Sequence, residues 1–330
     1  MSKSWDVLGL GNAIMDVLAP VDDQFLSKHN MHKGAMALIA QEDAERIYQA
    51  LQNPQQVAGG AVANSCVGIA MLGGNPAYIG KVKNDALGNA FASDIQKSGV
   101  HYAVKKSQAG PSTARSMIVV TPDGQRTMNT FLGAALYLEK DDIDAHLVAH
   151  SKVTFIEGYL WDTPHLRPHL QLAAGLCHAA GQKLAFTLSD AWLIDRHRDD
   201  MRRFVRDHVD ILFANELEIV SFYQTSDMDA AIKMLANDCD LAVVTRSEQG
   251  SVICQNGQTI AIPAAPTKVV DTTGAGDLYA GGFLFGLTND YPLERCGRIA
   301  AICAAEIISH IGARAQVNLA ELVQQKIALV

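Results

Sequence analysis

The regular alternation of apolar strand-like and helical segments between residues 141 and 245 limits what this chain can fold into. Periodicity and turn residues predict helices over residues 141–149, 164–180, 197–206, 215–224 and 228–238. Strands are predicted between them, over residues 153–156, 183–188, 210–213 and 241–245. Strands that alternate with helices form parallel sheets covered by helices on both faces. We therefore predict a doubly wound α/β body with a mostly parallel sheet.

A β-hairpin interrupts this alternation near the middle of the chain. Residues 114–120 and 125–132 have strand patterns, and the turn Thr121-Pro-Asp-Gly124 joins them without a helix. Together with strand patterns near residues 14–20 and 34–40, the hairpin predicts a small separate sheet that acts as a lid. The expected units are a large α/β domain of residues 1–13, 41–110 and 134–330, and a discontinuous β lid of residues 14–40 and 111–133.

The remaining predicted elements complete the α/β body. Helices are expected over residues 41–51 and 87–97, and a strand-like segment over residues 101–105. A hairpin is expected around Gln255-Asn-Gly257, followed by helices over residues 275–288, 292–309 and 318–328.

Composition excludes several classes of partner. The 330 residues contain 27 Lys and Arg against 35 Asp and Glu, and no long basic run, so neither nucleic acid nor an anionic membrane is expected as a partner. No apolar run approaches the ~20 residues of a membrane span, and the start lacks a signal-peptide core, so we expect a cytoplasmic protein. The six cysteines form no Cys-x-x-Cys pair, which argues against a zinc ribbon or redox motif and predicts reduced thiols.

The stretch Asp271-Thr-Thr-Gly274-Ala-Gly276-Asp277 leads directly into an apolar helical segment. The first turn of a helix has unpaired N–H groups and the positive end of the helix dipole, which attract anions. Gly274 and Gly276 tolerate positive φ and allow close approach, so the amides of residues 274–276 are candidates to bind one oxyanion such as a phosphate. Asp277 would repel a phosphate unless it took a proton, which is the behaviour of a general base.

A purely structural interpretation of the same stretch remains open. Asp277 would then cap the helix, and the glycines would form a tight turn. Gly281, Gly282 and Gly286 within the helix each cost roughly 0.8–1 kcal/mol relative to Ala. Something must therefore approach this helix closely: a packed sheet, a ligand at its N-terminus, or both.

The first strand ends in Gly9-x-Gly11-Asn12, which resembles a dinucleotide fingerprint. Ile14 replaces the third glycine and no helix follows before Pro20, so we reject a Rossmann site. Asp16 lies in an otherwise apolar stretch. It is either a buried carboxylate that needs ligand hydroxyls as partners or a residue on the wet face of a half-exposed strand.

Two further motifs place polar residues at predicted helix starts. Asn64 lies one turn after the Gly59-Gly60 turn, where it bonds either a ligand or the local backbone. Asn215-x-x-Glu218 is typical of a capping box, and it also suits a water-mediated Mg²⁺ site, which needs only one or two carboxylates. Ligands of open α/β sheets bind beyond the carboxyl ends of strands, where Asn12, Tyr159, Asn215 and Thr245 are predicted to lie.

Other candidate sites are discounted. The i,i+4 pairs His146/His150 and His165/His169 have no third ligand, and solvated helix surface explains them better than a metal site. The sequence has no Gly-x4-Gly-Lys-Ser/Thr and no Gly-x-Ser-x-Gly, which excludes a P-loop nucleoside triphosphatase and a serine hydrolase of that type.

Three stretches in this order resemble the ribokinase (PfkB) family of ATP-dependent carbohydrate and nucleoside kinases. Residues 270–282 are similar to its C-terminal signature, residues 59–85 to its Gly-Gly-Asn signature, and Asn215 to Glu218 to its Asn-x-x-Glu motif. Within the family, Gly11 to Asp16, residues 209–215 and the lid stretch ending Gly133-Ala-Ala-Leu-Tyr137 are most similar to adenosine kinases.

The resemblance implies roles for individual residues. Asp277 would deprotonate the acceptor hydroxyl, and the amides of Gly274, Ala275 and Gly276 would form the anion hole, aided by Arg126. The substrate would be held by Asn12, Ile14, Asp16, Gly59, Gly60, Asn64, Leu132 and Tyr159, with Asp16, Gly60 and Asn64 on the ribose hydroxyls. The nucleotide would contact Asn215, Thr245 and Gly276. Glu218 would bind Mg²⁺ through water, and Asp271, Thr273, Ile307 and Gly312 would bind a monovalent cation, K⁺.

The implied activity is that of an adenosine kinase, which transfers a phosphoryl group from ATP to the ribose 5′-hydroxyl, in a monomer or dimer. A sugar kinase acting on ribose or fructose is the alternative, and a non-catalytic nucleoside-binding module is a third. A nucleobase needs an apolar slot, whereas a sugar site is smaller and more polar. The candidates for that slot, which also suit a lid core, are Ile14, Met36, Met128, Leu132, Tyr159 and Trp161.

Overall fold

Two β-sheets organise the chain in a computed structural model that describes residues 4–327. The strands of these residues are β1 Trp5–Leu10, β2 Ile14–Pro20, β3 Met36–Leu38, β4 Gln55–Gly59, β5 Pro76–Ile79, β6 Ala114–Val120, β7 Arg126–Phe131, β8 Ser151–Glu157, β9 Lys183–Thr187, β10 Ile211–Asn215, β11 Leu241–Thr245, β12 Ser251–Gln255 and β13 Gln258–Ile262.

The α-helices lie between and after these strands. They are α1 Asp23–Lys28, α2 Gln41–Ala50, α3 Ala61–Met71, α4 Ala86–Lys97, α5 Ala145–Ala149, α6 Arg167–Ala179, α7 Ala191–His208, α8 Glu216–Tyr223, α9 Met228–Asp238, α10 Ala275–Thr288, α11 Leu293–Ile307 and α12 Leu319–Ile327. Short 3₁₀ helices span Gly133–Tyr137, Lys140–Asp142, Gly158–Asp162, Pro164–Leu166 and Ser247–Gln249. None of the helices within residues 4–327 has the length and apolar character that a membrane span requires.

The main sheet has eight strands in the order β13-β12-β11-β10-β9-β8-β1-β5. The six strands from β11 to β5 are parallel, and β12 and β13 add an antiparallel hairpin at one edge. Alternating strand residues face two cores, one closed by α3, α4, α10 and α11 and the other by α5 to α9. The predicted α/β fold with helices on both faces of a mostly parallel sheet is confirmed.

The second sheet has five strands in the order β3-β7-β6-β2-β4. The predicted β6–β7 hairpin is present and is antiparallel, and β2 pairs in parallel with β6. One face buries Met15, Val17 and Met117 in the core with α2. The opposite face of the second sheet, which we call its inner face, is turned toward the start of α10.

Register places a row of polar groups and a row of apolar groups on this inner face. Asp16 lies beside Ser116, and Ser116 lies beside Thr130, with 2.8 Å between the two hydroxyl oxygens. The neighbouring row contains Leu18, Ile118, Met128 and Met36. The inner face therefore presents both hydrogen-bonding groups and apolar surface to whatever lies beneath it.

The second sheet has more members than the sequence predicted. Strand β4, which the expected boundaries assigned to the large domain within residues 41–110, pairs with β2 in antiparallel fashion. Helix α1, between β2 and β3, was also missed. In contrast, the expected strand over residues 101–105 is reduced to a single bridge between His101 and Ala77. Strand β4 carries little periodic signal, because it has only five residues and the first two, Gln55 and Gln56, are both polar and exposed.

The glycines of α10 are explained by helix–helix packing. A Cβ at Gly281 would lie 2.7 Å from the Ser65 oxygen of α3, and one at Gly282 would lie 2.9 Å from the Ala300 Cα of α11. A Cβ at Gly286 would lie 2.9 Å from Cys296 Sγ. The close neighbours are therefore two helices and not the sheet, and together they hold the start of α10 against α3.

Candidate active site

Helix α10 begins at the carboxyl end of the main sheet, below the inner face of the second sheet. Gly274 precedes it with φ of 75°, a left-handed conformation that favours glycine. The Ala275 amide donates to the Thr272 oxygen at 3.2 Å, and the first helical bond runs from Leu278 to the Gly274 oxygen. Within the described residues, the amides of Gly276 and Asp277 have no backbone partner, as expected for a helix start. These amides are available to an anion.

Asp277 lies in this first turn and is paired across the core. Its Oδ2 accepts a hydrogen bond from Asn64 Nδ2 of α3 at 2.9 Å, and its backbone oxygen accepts one from Ser65 Oγ at 2.8 Å. Burial raises the pKa of Asp277 to about 6, while the Asn64 amide and the Arg314 charge oppose the increase. A carboxylate with this pKa is mostly ionised at neutral pH. It is also more basic than an exposed aspartate, so it is better suited to accept a proton from a hydroxyl group.

Asp16 faces the same region from the second sheet. Its strand alternates between buried and half-buried residues, and Asp16 shares the half-buried inner face with Ile14 and Leu18. Burial raises the pKa of Asp16 to about 7; the Arg314 charge opposes this and Asp277 adds to it. Of the two predicted alternatives, the structure favours a carboxylate enclosed by protein over one on a wet face.

The Gly59-Gly60 turn makes room for these groups. A Cβ at Gly59 would lie 2.4 Å from Asp16 Oδ2, and one at Gly60 would lie 2.2 Å from the Asn12 oxygen. Gly60 has φ of 102° and directly precedes α3, which carries Asn64. The turn therefore brings backbone against the Asp16 carboxylate and starts the helix that reaches Asp277.

Asn12 and a residue that sequence reasoning missed, Glu157, form a buried pair nearby. Glu157 accepts hydrogen bonds from Asn12 Nδ2 at 2.9 Å, the Asn12 amide at 3.3 Å and the Val62 amide at 3.4 Å. Burial raises the pKa of Glu157 to about 7, and the hydrogen bond from Asn12 opposes this. Glu157 thus orients Asn12 and the start of α3. A carboxylate directly after an apolar strand was the available sequence signal.

One large cavity of about 630 Å³ joins the predicted acceptor and nucleotide positions. We call it the central cavity. It is lined by Arg126, Met128, Tyr159, Asn215, Glu218, Thr245 and residues 272–277. Tyr159 lies after β8 in a 3₁₀ helix and donates to the Ser189 oxygen at 3.2 Å. Trp161 is instead buried against Phe186 and Phe204 in the core of the main sheet, so it does not line this slot.

Two predicted substrate residues lie at the ends of second-sheet strands. Ile14 is the first residue of β2 and is half-buried on the inner face. Leu132 directly follows β7, is half-buried and precedes the 3₁₀ helix Gly133–Tyr137.

Asn215 and Glu218 form a complete capping box at the start of α8. Glu218 accepts from the Asn215 amide at 3.0 Å and from its Nδ2 at 2.6 Å, and the Glu218 amide donates to Asn215 Oδ1 at 2.8 Å. Burial raises the pKa of Glu218 to about 7, opposed by the bond from Asn215. The capping interpretation is therefore confirmed. The carboxylate also borders the central cavity, which fits a hydrated cation held through water.

The loop assigned to a monovalent cation is occupied by protein contacts. Asp271 Oδ1 accepts from Arg126 Nη1 at 2.9 Å and from the Thr273 hydroxyl at 2.6 Å, and Oδ2 accepts from the Gly312 amide at 3.0 Å. Ile307 is the buried last residue of α11. Burial acts to raise the pKa of Asp271, yet these donors hold it below its usual value. Because Arg126 already compensates this charge, the loop does not fit a cation as it stands.

No cluster of three or more His, Cys, Asp or Glu side chains within residues 4–327 is arranged to bind a metal ion directly. The six cysteines are all free and buried. A divalent cation at this site would therefore depend on water and on a bound phosphate for most of its ligands.

The chain is similar to proteins of known family along nearly its whole length. Residues 31–319 match the family model described as pfkB family carbohydrate kinase. A probable sugar kinase from Rhizobium etli superposes with a TM-score of 0.91 at 43% identity, covering 99% of both chains. The adenosine kinase from Sinorhizobium meliloti superposes with a TM-score of 0.90 at 45% identity, covering 98% of this chain and 100% of that one. Adenosine kinase 2 of Arabidopsis thaliana is 28% identical, covering 94% of this chain and 96% of its own.

Proposed function

Since the chain belongs to the pfkB family of carbohydrate kinases and is a phosphotransferase with an alcohol acceptor, we propose that it phosphorylates the 5′-hydroxyl of adenosine with ATP. The products are AMP and ADP. The sequence similarity to adenosine kinases of Sinorhizobium meliloti and Arabidopsis thaliana supports this substrate, whereas the similarity to a probable sugar kinase supports the alternative.

The apolar row on the inner face of the second sheet is the observation that carries the proposal. Met36, which belongs to this row, is 43% exposed, although it lies beside Met128, which lines the central cavity. Exposed apolar groups beside a cavity are suited to covering a planar base, whereas a small sugar is recognised mainly through its hydroxyls. The polar row that begins at Asp16 then binds the ribose hydroxyls.

Residues in the first turn of α10 activate the acceptor hydroxyl and stabilise the transferred phosphoryl group. The Asp277 carboxylate accepts the proton of the 5′-hydroxyl as that oxygen attacks, and Asn64 fixes the carboxylate in place. The free amides of Gly276 and Asp277, with the helix dipole, stabilise negative charge on the transferred phosphoryl group. Arg126 lines the same cavity and adds a positive charge. These effects suit phosphoryl transfer, which depends mainly on positioning and charge neutralisation.

The nucleotide occupies the part of the central cavity bordered by Asn215 and Thr245. Kinases of this family use ATP with a divalent cation. Glu218 is placed to hold Mg²⁺ through water, and the bound cation would neutralise phosphate charge. K⁺ would have to compete with Arg126 for Asp271. Comparing turnover in K⁺ and in tetramethylammonium buffers tests that requirement.

We also propose that residues 14–40 and 111–133 move as a lid, together with β4. The pair between Arg126 and Asp271 joins the second sheet to the start of α10. Adenosine should therefore protect backbone amides of β2, β3, β6 and β7 from hydrogen exchange. Unchanged exchange in all four strands would contradict the lid assignment.

A steady-state assay across adenosine, inosine, ribose and fructose, with ATP and Mg²⁺, tests the substrate. We expect the highest kcat/KM for adenosine, and mass spectrometry with ³¹P NMR should place the phosphate on the 5′-oxygen. The Asp277→Asn variant is the matched control for contaminating kinase activity. A sugar turned over far faster than adenosine would establish the sugar kinase alternative. Adenosine binding by calorimetry without any turnover would instead establish a non-catalytic module.

A further inference from the structure

Arg314 lies in the segment between α11 and α12 and reaches across to the second sheet. Its Nη2 donates to the Ala58 oxygen of β4 and lies 3.6 Å from Asp94 Oδ2 of α4. Asp94 Oδ2 in turn accepts from the Ala58 amide at 2.9 Å. These contacts hold one side of the guanidinium at the strand that leads into the Gly59-Gly60 turn.

The other side of the guanidinium has no protein partner. Nη1 of Arg314 is buried and makes no hydrogen bond to any residue in the described range 4–327. Each terminal nitrogen of arginine carries two N–H donors, and buried donors of a charged group are costly to leave unpaired. An acceptor supplied by a ligand accounts for this arrangement.

A second cavity, of about 200 Å³, lies beside Arg314, and we call it the lateral cavity. Asp16, Asn64, Asp271 and Thr273 share its lining with Arg314. The half-buried Asp16 makes no side-chain hydrogen bond within the part of the chain that the structure describes. Asn64 Oδ1 is buried and has no partner there either. The lateral cavity therefore combines an unpaired cationic donor with an unpaired carboxylate acceptor.

A vicinal diol matches this combination of groups. Each hydroxyl donates one hydrogen bond and accepts up to two, so a carboxylate takes its protons while a guanidinium donates to its oxygens. The charge of Arg314 also acts on Asp16 and on Asp277, where it opposes the effect of burial on the pKa of each carboxyl. Arg314 is therefore close to both the predicted diol acceptor and the predicted base.

We propose that Arg314 is a substrate-binding residue. Its Nη1 donates a hydrogen bond to one oxygen of a vicinal diol, and the Asp16 carboxylate accepts hydrogen bonds from the hydroxyls of the same diol. The proposal rests on the proposed function only in that adenosine supplies this diol as its 2′- and 3′-hydroxyls. Arg314 and Asp16 then bind the sugar from two sides, one from the segment after α11 and the other from the second sheet.

The test compares wild type with Arg314→Met and Arg314→Lys on adenosine, 2′-deoxyadenosine and 3′-deoxyadenosine. Met keeps the apolar stem and removes every donor, whereas Lys keeps the charge and loses the planar fork. For adenosine, we expect Arg314→Met to lower kcat/KM by about tenfold or more, with Lys in between. The loss should be much smaller for the deoxyadenosine that lacks the contacted hydroxyl.

Asp94→Asn is the matched control, because it removes the charge partner of Arg314 but retains an oxygen that accepts from the Ala58 amide. This variant should keep the wild-type preference for adenosine over both deoxyadenosines. Equal losses on all three substrates in Arg314→Met and Arg314→Lys would overturn the proposal, since they would show that Arg314 only anchors β4. Thermal unfolding shows whether each variant folds. If Arg314→Met does not fold, the substrate preference of Arg314→Lys decides whether Arg314 contacts the diol.

The contact between Arg314 and a diol can be tested even if the substrate is a sugar instead of adenosine. If wild type prefers ribose over adenosine, the same variants are compared on ribose, 2-deoxyribose and 3-deoxyribose. A loss that is much smaller on one deoxy sugar than on ribose then supports the diol contact even though the nucleoside assignment is wrong, and equal losses on all three sugars refute it.

Discussion

Two asparagine–carboxylate pairs lie at helix starts on the same edge of the main sheet, and they differ in how completely they satisfy each other. Asn215 and Glu218 are three residues apart and exchange hydrogen bonds in both directions. Asn64 and Asp277 are 213 residues apart and share one bond, from Nδ2 to Oδ2. Asn64 Oδ1 is buried without a partner in the described part of the chain.

Asn215 and Glu218 use their hydrogen-bonding groups to complete a helix cap, whereas Asn64 and Asp277 retain unpaired groups that a ligand can bind. Local pairs can satisfy both partners because backbone amides of the same turn are within reach. The distant pair is held by the packing of α3 on α10, where glycines bring the two helices together. Its remaining donors and acceptors can therefore face a substrate.

Replacing each carboxylate by its amide should show the largest contrast. We expect Asp277→Asn to lower kcat by roughly 10²-fold or more, because the amide cannot accept the hydroxyl proton. Glu218→Gln retains an oxygen for the capping box and should lower kcat by less than about tenfold, with its main effect on the KM for ATP. Steady-state kinetics of both variants measure the contrast. A near-native kcat in Asp277→Asn would show that Asp277 is not the general base.

The pH dependence of kcat/KM should sharpen the same contrast. The pKa values of Asp277 and Asp16 are raised to about 6 and about 7, so both carboxyl groups take up protons as the pH falls from 8 to 5. Protonated Asp277 cannot act as a base, and protonated Asp16 no longer accepts from both hydroxyls. kcat/KM should therefore fall on the acid side, with a limiting slope approaching about two on a logarithmic plot.

The matched variant for this profile is Glu218→Gln. The pKa of Glu218 is also raised to about 7, but its oxygens serve the helix cap. The acid limb measured with Glu218→Gln at saturating ATP should keep the wild-type slope. A slope of one in the wild type would show that only one of the two acceptor-site carboxylates must be ionised.

Removing Asn64 should have an intermediate effect. Asn64→Ala deletes the side-chain donor to Asp277 and should lower kcat by about tenfold, the magnitude of one hydrogen bond to a charged group. Ser65→Ala is the control, because within residues 4–327 the Ser65 hydroxyl bonds only the Asp277 backbone oxygen and the Ala61 backbone oxygen. Single-turnover kinetics should show slower chemistry in Asn64→Ala alone. Equal effects of both variants would indicate that they merely loosen α3 on α10.

The smallest effect is expected at the closed pair. Asn215→Ala removes the cap of α8 and should lower the free energy of unfolding by roughly 1 kcal/mol, a typical cost for losing an N-cap. kcat should change only a few-fold, since the side chain mainly bonds its own turn. Urea denaturation and steady-state kinetics measure the two quantities. A loss of kcat as large as that of Asp277→Asn would give Asn215 a direct part in the reaction.

The two pairs also show what the sequence allowed us to predict. Spacing alone predicted the Asn215–Glu218 capping box and most of the strand–helix alternation, because these depend on neighbours in sequence. The family resemblance assigned Asn64 and Asp277 to one substrate site, but their direct hydrogen bond was not predicted, since no local pattern joins residues on different helices. Glu157 and Arg314 were missed because each acts through contacts with segments far away in the chain.

The second sheet was predicted less completely for the same physical reason. The β6–β7 hairpin is joined by a short turn with a recognisable Pro-Asp-Gly sequence, so its register follows from local chemistry. Strand β4 pairs with β2 across two helices, α1 and α2, and strand β3. Its first two residues, Gln55 and Gln56, are both exposed and hide the alternating pattern of a strand. Tertiary pairing, not intrinsic preference, makes this segment a strand.

The position of β1 in the interior of the main sheet has a consequence for how the molecule is made. β1 is the first strand of the chain, yet one of its two neighbours is β8, and the bond from Asn12 to Glu157 spans 145 residues. During synthesis at about 5–20 residues per second, this partner emerges roughly 7–30 seconds after β1. Until then, one edge of an apolar strand is unpaired. We expect nascent chains that end before β8 to bind chaperones and longer ones to be released.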